Sequence, residues 1–251
     1  MLTIDQLERA LTAAGLEAPV RADEVTGSTN DTARVMAEAG APEWTLVTAA
    51  HQTAGRGRLG RDWLDRAGSA LMFSFVLRPP MPAARAGLVP LLAGVAMARA
   101  ARDATGADVR CKWPNDLMLG EAKVGGILAE SVVGDGRLRF VVVGVGVNLG
   151  EPPADVERAG ALLTGEETLL RAFLVAATTL YEPRHPAFGD RVLAAYREVS
   201  ATIGREVEAT TVDGSLVTGT ASDVDDRGDL IVDTAQGPRT VAFGEIAHLT
   251  R

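Results

Sequence analysis

Residues 109–149 read VRCKWPNDLMLGEAKVGGILAESVVGDGRLRFVVVGVGVNL, and this stretch decides the fold. It divides into four runs with strand character: VRCKW, DLML after Pro114-Asn115, KVGGILAESVV, and RLRFVVVGVGVNL. Gly134-Asp135-Gly136 between the last two is a hairpin signal, because aspartate and glycine tolerate the backbone angles that tight turns demand. Consecutive strands joined by short turns pair antiparallel. The reading therefore places Lys112, Asp116, Lys123 and Asn148 on or beside neighbouring strands of one sheet.

Working outward, Ser69 to Leu77 (SALMFSFVL) has the continuous apolar character of a buried strand, and Leu88 to Ala104 that of a helix apolar on most faces. Upstream, Thr3 followed by Ile4, Leu7, Ala10 and Leu11 predicts a capped amphipathic helix ending at Gly15. A strand is expected near Arg21 to Val25. A helix is expected from Ser28-Thr29-Asn30 to Gly40, and a strand from Trp44 to Ala49. Residues 51–68 have glycines, charges of both signs and no period, which predicts a long loop, functional or disordered. Downstream come helices at Glu166 to Tyr181 and Asp190 to Ser200. After Ile203 the texture changes to short strands between Asp-Gly and Gly-Asp turns (REVEATT, SLVTGTASDV, DLIVDT, RTVAFG), barrel-like in spacing. The expected class is α+β, a mixed and mostly antiparallel sheet with flanking helices over residues 1–202, followed by a small β module over 203–251.

A chain of 251 residues buries a core of its own, and its first 25 residues hold several charges and no continuous apolar run. The expectation is a cytoplasmic protein with no membrane span. The single cysteine, Cys111, excludes a disulfide framework, and three scattered histidines argue against a His-based metal site. A net charge of −8 argues against sequence-independent binding of nucleic acid. The basic residues are chosen unevenly: 23 are Arg and only two, Lys112 and Lys123, are Lys. Asparagine is as scarce, at Asn30, Asn115 and Asn148. A composition that has discarded Lys and Asn almost everywhere marks the survivors as positions where chemistry tolerates no substitute.

Gly55-Arg56-Gly57-Arg58-Leu59-Gly60 matches the G-x-G-x-x-G pattern of dinucleotide sites. That reading needs a strand immediately before and an apolar helix immediately after, and neither is present. What remains is a glycine backbone able to approach an anion, carrying Arg56, Arg58 and Arg61 as planar forks for carboxylate or phosphate. Unneutralised, those arginines are expected to keep the loop unsettled until an anion arrives. Lys112-Trp113-Pro114-Asn115-Asp116 sets a cation, an amide and a carboxylate around a rigid turn. In Lys123-Val124-Gly125-Gly126 the glycines permit close approach by a ligand, and the glycines of Val143 to Asn148 mark a tight contact.

Ser28-Thr29-Asn30, Gln52 with GRGRLGR, KWPNDL, KVGGILAE and GVGVNL occur together in an order and spacing that resemble the biotin protein ligases, the biotin–[acetyl-CoA-carboxylase] ligase family. The resemblance is close over residues 21–150 and looser beyond. It implies a sheet of the kind shared by class II aminoacyl-tRNA synthetases and biotin ligases, with an SH3-like C-terminal barrel. It also implies a two-step reaction: biotin and ATP give biotinyl-5′-AMP, whose biotinyl group passes to a lysine of a biotin carboxyl carrier protein domain. Magnesium is expected to arrive with ATP rather than on dedicated ligands.

Carried over by position, Ser28, Thr29, Asn30, Gln52, Arg56, Gly57, Arg58, Lys123, Gly125 and Gly126 are similar to residues around biotin. Arg56, Arg58, Arg61, Trp63, Lys112, Asn115 and Asn148 are similar to residues around ATP and the adenylate, with Trp63 over the adenine. Lys123, Arg58, Asp116 and Lys112 are the expected catalytic group, Asp116 serving to position or deprotonate the acceptor lysine. About 20 residues precede the first strand, so the N-terminal DNA-binding module of some relatives is expected to be missing. The resemblance admits a homodimer. Lipoate or octanoate ligation, a non-catalytic biotin sensor, and a nicotinamide dehydrogenase are the alternatives to be tested.

Overall fold

A computed structural model of the chain describes residues 1–64, 68–151, 158–211, 213–242 and 244–249. Positions 65–67 of the expected loop and Phe243 of the expected RTVAFG strand lie outside the described residues.

Helix α1 (Ile4–Ala13) starts on the expected reciprocal cap: Gln6 N donates to Thr3 Oγ1 at 3.3 Å, and Thr3 N to Gln6 Oε1 at 2.9 Å. β1 (Val20–Thr26), α2 (Thr29–Glu38), β2 (Leu46–Gln52) and β3 (Ala70–Leu77) follow. Then come α3 (Leu88–Thr105), β4 (Val109–Lys112), β5 (Asp116–Leu119), β6 (Ala122–Gly134) and β7 (Arg137–Asn148). Helices α4 (Glu166–Leu180) and α5 (Phe188–Val199) complete this part, and β8 (Glu206–Thr211) to β12 (Gly244–His248) form the end of the chain. The intervening β9, β10 and β11 are Leu216–Val224, Leu230–Thr234 and Gly237–Val241.

Among the described residues the first seven strands form one sheet in the order β1-β2-β3-β7-β6-β5-β4, with β1 and β2 parallel and every other pair antiparallel. This is the mixed, mostly antiparallel sheet that the sequence predicts. The last five strands form a separate antiparallel sheet in the order β11-β10-β9-β8-β12.

Side-chain alternation divides the large sheet into two faces. On one face Phe73, Phe75, Val141, Val143, Val145 and Val147 enter the main core with α1, α3, α4 and α5. The opposite face carries Val47, Val76 and Val142, which pack on Ala33 and Ala37 of α2 in a smaller cluster. By length and apolar composition the helical run Ala83–Thr105 would suit a membrane span, but its α3 side chains are buried against α4, α5 and the sheet.

The two sheets meet around the turn after β4. Trp113 N donates to Thr202 Oγ1 at 3.0 Å, and Trp113 Nε1 to the Gly228 carbonyl at 3.0 Å. Gly87 is required at this seam, since a Cβ there would stand 2.4 Å from the Arg227 carbonyl oxygen.

Candidate active site

Where α2 begins, its face of the sheet is built on the glycines Gly126, Gly144 and Gly146. Register pairs Gly126 with Gly146 and Leu128 with Gly144. A Cβ on Gly144 would lie 2.2 Å from Asn30 Oδ1, and one on Gly146 would lie 2.6 Å from the Trp63 ring. These glycines make room for an amide and an indole, which is the tight contact expected of that strand. The result is a cavity of about 270 Å³ lined by α2, the arginine loop, β6, β7, the 112–116 turn and, from the second sheet, Ile246.

One end is polar and tightly bonded. Ser28 occupies the cap position of α2, but its hydroxyl does not cap the helix; Gln52 meets the helix start instead, its Oε1 accepting from Thr29 N at 2.7 Å and from Thr29 Oγ1 at 3.1 Å. Gln52 Nε2 donates to Met72 Sδ at 3.3 Å. Asn30 is buried with its amide satisfied by protein: Nδ2 donates to Glu130 Oε2 at 2.6 Å and to the Leu128 carbonyl at 3.3 Å, and Oδ1 accepts from Ser74 Oγ at 2.7 Å. Ser74 Oγ also stands 2.7 Å from Thr29 Oγ1. Buried amides persist when paired in this way. These bonds fix the entry angle of α2 and so the shape of the cavity.

The other end is cationic. Lys112 is directly opposite Asp116 across the β4–β5 hairpin, and Asp116 is opposite Gly126. Lys123 Nζ pairs with Asp116 Oδ1 at 2.5 Å. Asn115 Nδ2 donates to the Ile127 carbonyl at 2.8 Å, and Ile127 N donates back to the Asn115 carbonyl at 2.9 Å, which locks the turn to β6. The Trp113–Pro114 peptide in this turn is cis.

The loop closes over both ends. Trp63 N donates to the Gly55 carbonyl at 2.9 Å, and a bridge joins Arg56 to Asp62. The indole of Trp63 lies across Gly126 and Gly146, and its Nε1 is buried with no acceptor among the described residues. A buried donor left unmade costs about 1–3 kcal/mol, so an acceptor on a bound molecule would gain by meeting it.

Of the residues picked out in the sequence, Ser28, Thr29, Asn30, Gln52, Arg56, Gly57, Arg58, Arg61, Trp63, Lys112, Asn115, Asp116, Lys123 and Gly126 all line this cavity. Two of the residues picked out in the sequence lie outside the cavity lining. Gly125 does not face it: consecutive strand residues point to opposite faces, and a Cβ at Gly125 would meet the Gly146 carbonyl and Leu117 on the core side. Asn148 is not in the lining, because its Nδ2 donates to the Gly160 carbonyl at 3.0 Å and ties the 158–162 segment to β7. Within the loop, Gly57 N donates to the Arg61 carbonyl at 2.7 Å and Arg61 N to the Arg58 carbonyl at 3.2 Å. The loop's cationic groups are its arginine side chains.

The sequence reading missed Asp31, Ser74, Glu130 and Ile246. A lone serine in an apolar strand and a carboxylate in KVGGILAE were visible signals for Ser74 and Glu130. Nothing local pointed to Ile246, which reaches the cavity from the second sheet.

Residues 23–148 match the biotin/lipoate A/B protein ligase family, and residues 202–249 match the biotin protein ligase C-terminal domain. The biotin–[acetyl-CoA-carboxylase] ligase of Mycobacterium tuberculosis is 33% identical over 240 residues, covering 89% of this chain and 86% of that one. The bifunctional ligase/repressor BirA of Bacillus subtilis is 30% identical over 234 residues, covering 89% and 72%. The biotin protein ligase of Aquifex aeolicus, solved in complex with biotin and ATP, superposes with a TM-score of 0.73 at 26% identity, covering 91% of this chain and 97% of that one. With the family match spanning half of the chain and these relatives spanning most of it, the chain belongs to the biotin/lipoate A/B protein ligase family and is a ligase of its biotin protein ligase branch.

Proposed function

We propose that this ligase joins biotin to ATP as biotinyl-5′-AMP and then passes the biotinyl group to one lysine of a biotin carboxyl carrier protein domain. The observation that carries the reading is that Lys112, Lys123, Arg58 and Arg61 line the same cavity as the polar cluster Ser28, Thr29 and Gln52.

In the first step a biotin carboxylate oxygen attacks the α-phosphorus of ATP, and the bond to the β-phosphate oxygen breaks, releasing pyrophosphate. Negative charge grows on the phosphoryl oxygens, and cations already fixed around them stabilise that charge without reorganising. Lys123 is assigned to the reacting carboxylate and phosphate, Lys112 and Arg58 to phosphate, Arg56 and Arg61 to the closing loop, and Trp63 to the adenine. In the second step the acceptor amine attacks the biotinyl carbonyl, AMP leaves, and the amine loses a proton. Asp116, held at the cavity by Lys123, is the carboxylate assigned to position that amine.

Magnesium is expected on the triphosphate. Among the described residues no three His, Cys, Asp or Glu side chains cluster as a metal cage. The acidic residues in the lining are Asp62 and Asp116, a sparse donor set that suits an ion held chiefly by phosphate and water oxygens. Bound there, it would neutralise phosphate charge.

We assign residues 1–202 to catalysis and 203–251 to a small barrel-like module that closes the site through Ile246. The negative net charge supports a reaction that does not involve DNA, and a cytoplasmic setting is part of the same reading. Incubation with ATP, Mg²⁺, biotin and an apo carrier domain tests it. A biotinyl mass gain on one acceptor lysine is expected; none, or pyrophosphate exchange that responds to lipoate and not to biotin, would overturn it.

A further inference from the structure

The charge of Arg56 is answered by carboxylates of the protein itself. Its Nη1 and Nη2 donate to Asp31 Oδ2 and Oδ1 at 2.7 and 2.5 Å, a two-pronged pair. Glu130 Oε2 lies 3.8 Å from the same Nη2, and that oxygen also accepts from Asn30 Nδ2 at 2.6 Å. Arg56 belongs to the loop, Asp31 to the first turn of α2, and Glu130 to β6. Asp31 directly follows the cavity-lining Thr29 and Asn30, and its charge also suits a helix N-terminus. The guanidinium beside Asp31 holds that carboxyl below its usual range, and Asp31 in turn raises Arg56.

We propose that Arg56 is a fastener rather than an anion receptor, and that Asp31 and Glu130 are positioning residues that strap the arginine loop across the cavity through it. A phosphate or carboxylate approaching Arg56 meets two carboxylates of its own sign, which disfavours binding there. Arg58 and Arg61 also line the cavity. The strap joins loop, helix and sheet at the polar end, so its strength sets how readily the loop swings away. Its consequence for turnover rests on the ligase reading: a weakened strap lets the activated intermediate escape before the acceptor arrives, while the groups that form it stay in place.

Trypsin cleavage after Arg58 and Arg61, followed by mass spectrometry on the full chain without added substrate, tests the strap independently of that reading. Asp31→Asn is expected to speed cleavage roughly 5- to 10-fold, the modest scale of a partly exposed but two-pronged ion pair. Asp31→Glu should recover part of the protection, and Arg56→Gln should add little on top of Asp31→Asn because both break the same link. Cleavage of Asp31→Asn at the wild-type rate, or additive effects in the double variant, would overturn the strap. In a second arm, biotinyl-5′-AMP release should accelerate in Asp31→Asn while its formation rate changes less than about twofold. Loss of formation with unchanged release would overturn the assignment and return Arg56 to substrate binding. If the wild type formed no adenylate, the ligase reading would fail while the cleavage result stood.

Discussion

Lys123 Nζ lies 2.5 Å from Asp116 Oδ1, and an irregularity in β6 makes that contact available. Leu117 pairs with Gly125 and Met118 pairs with Lys123, so Val124 is an extra residue on β6. Strict alternation would give Lys123 the facing of Gly125, toward the core. The bulge reverses it, and Lys123 shares the cavity face with Gly126 while Val124 is buried in the core.

Lys123→Ala removes a charge-assisted contact to the reacting groups, about 1.5–3 kcal/mol. Adenylate formation is expected to slow by roughly 10- to 150-fold by the same estimate. Asp116→Asn keeps the ammonium but loosens its placement, so it should slow formation less than Lys123→Ala and transfer to the acceptor more. Single-turnover assays of each step measure both. Near-normal formation by Lys123→Ala would remove the role assigned to it.

Arg58→Lys retains the charge but not the planar fork, and the two are not interchangeable at a two-pronged site. Pyrophosphate exchange should fall by about tenfold or more, on the scale of one lost charge-assisted bond. Activity equal to wild type would mean that Arg58 acts only as a point charge.

Gly144→Ala places a methyl 2.2 Å from Asn30 Oδ1, which accepts from Ser74, on an amide whose Nδ2 is fixed by Glu130 and the Leu128 carbonyl. Overpacking of this kind costs about 1–3 kcal/mol, or a melting-temperature loss of roughly 2–4 °C per kcal/mol for a chain of this size. Biotin binding should weaken as well, because Asn30 shapes the polar end. Calorimetric titration with an unchanged biotin affinity would separate Asn30 from the site.

His248 Nε2 stands 3.3 Å from Thr202 Oγ1, which accepts from Trp113 N, so the second sheet reaches the KWPND turn through one hydroxyl. Burial, and then Lys112 and Arg205, hold this histidine below its usual 6.5, with Glu121 opposing. The unfolded chain therefore binds the proton more readily than the folded one. The stabilising contribution is complete above about pH 6.5 and falls as pH drops through that value toward the lower folded one. Melting temperatures measured from pH 8 to pH 5 should show an acid-side loss that His248→Gln diminishes. Parallel curves for the two proteins would refute the linkage.

Much of this was legible in the chain itself. Apolar runs and the Gly134-Asp135-Gly136 turn specified the strand sequence, because period and turn chemistry are local. The two lysines and the three asparagines stood out because the rest of the composition is poor in both, and the arginine loop because its glycines and mixed charges follow no period. Facing was not legible. Gly125 and Gly126 are equivalent in sequence, and only the register against β5 and β7 puts Gly126 in the cavity and Gly125 in the core. Nor do sequence distances link Arg56 to Asp31 and Glu130, Asn148 to Gly160, or Ile246 to the site. Residue type and local order determined which elements form and which chemistry they carry. The tertiary structure decided which side chains meet, because a bulge, a register and the docking of a second sheet are set by long-range packing that no short stretch encodes.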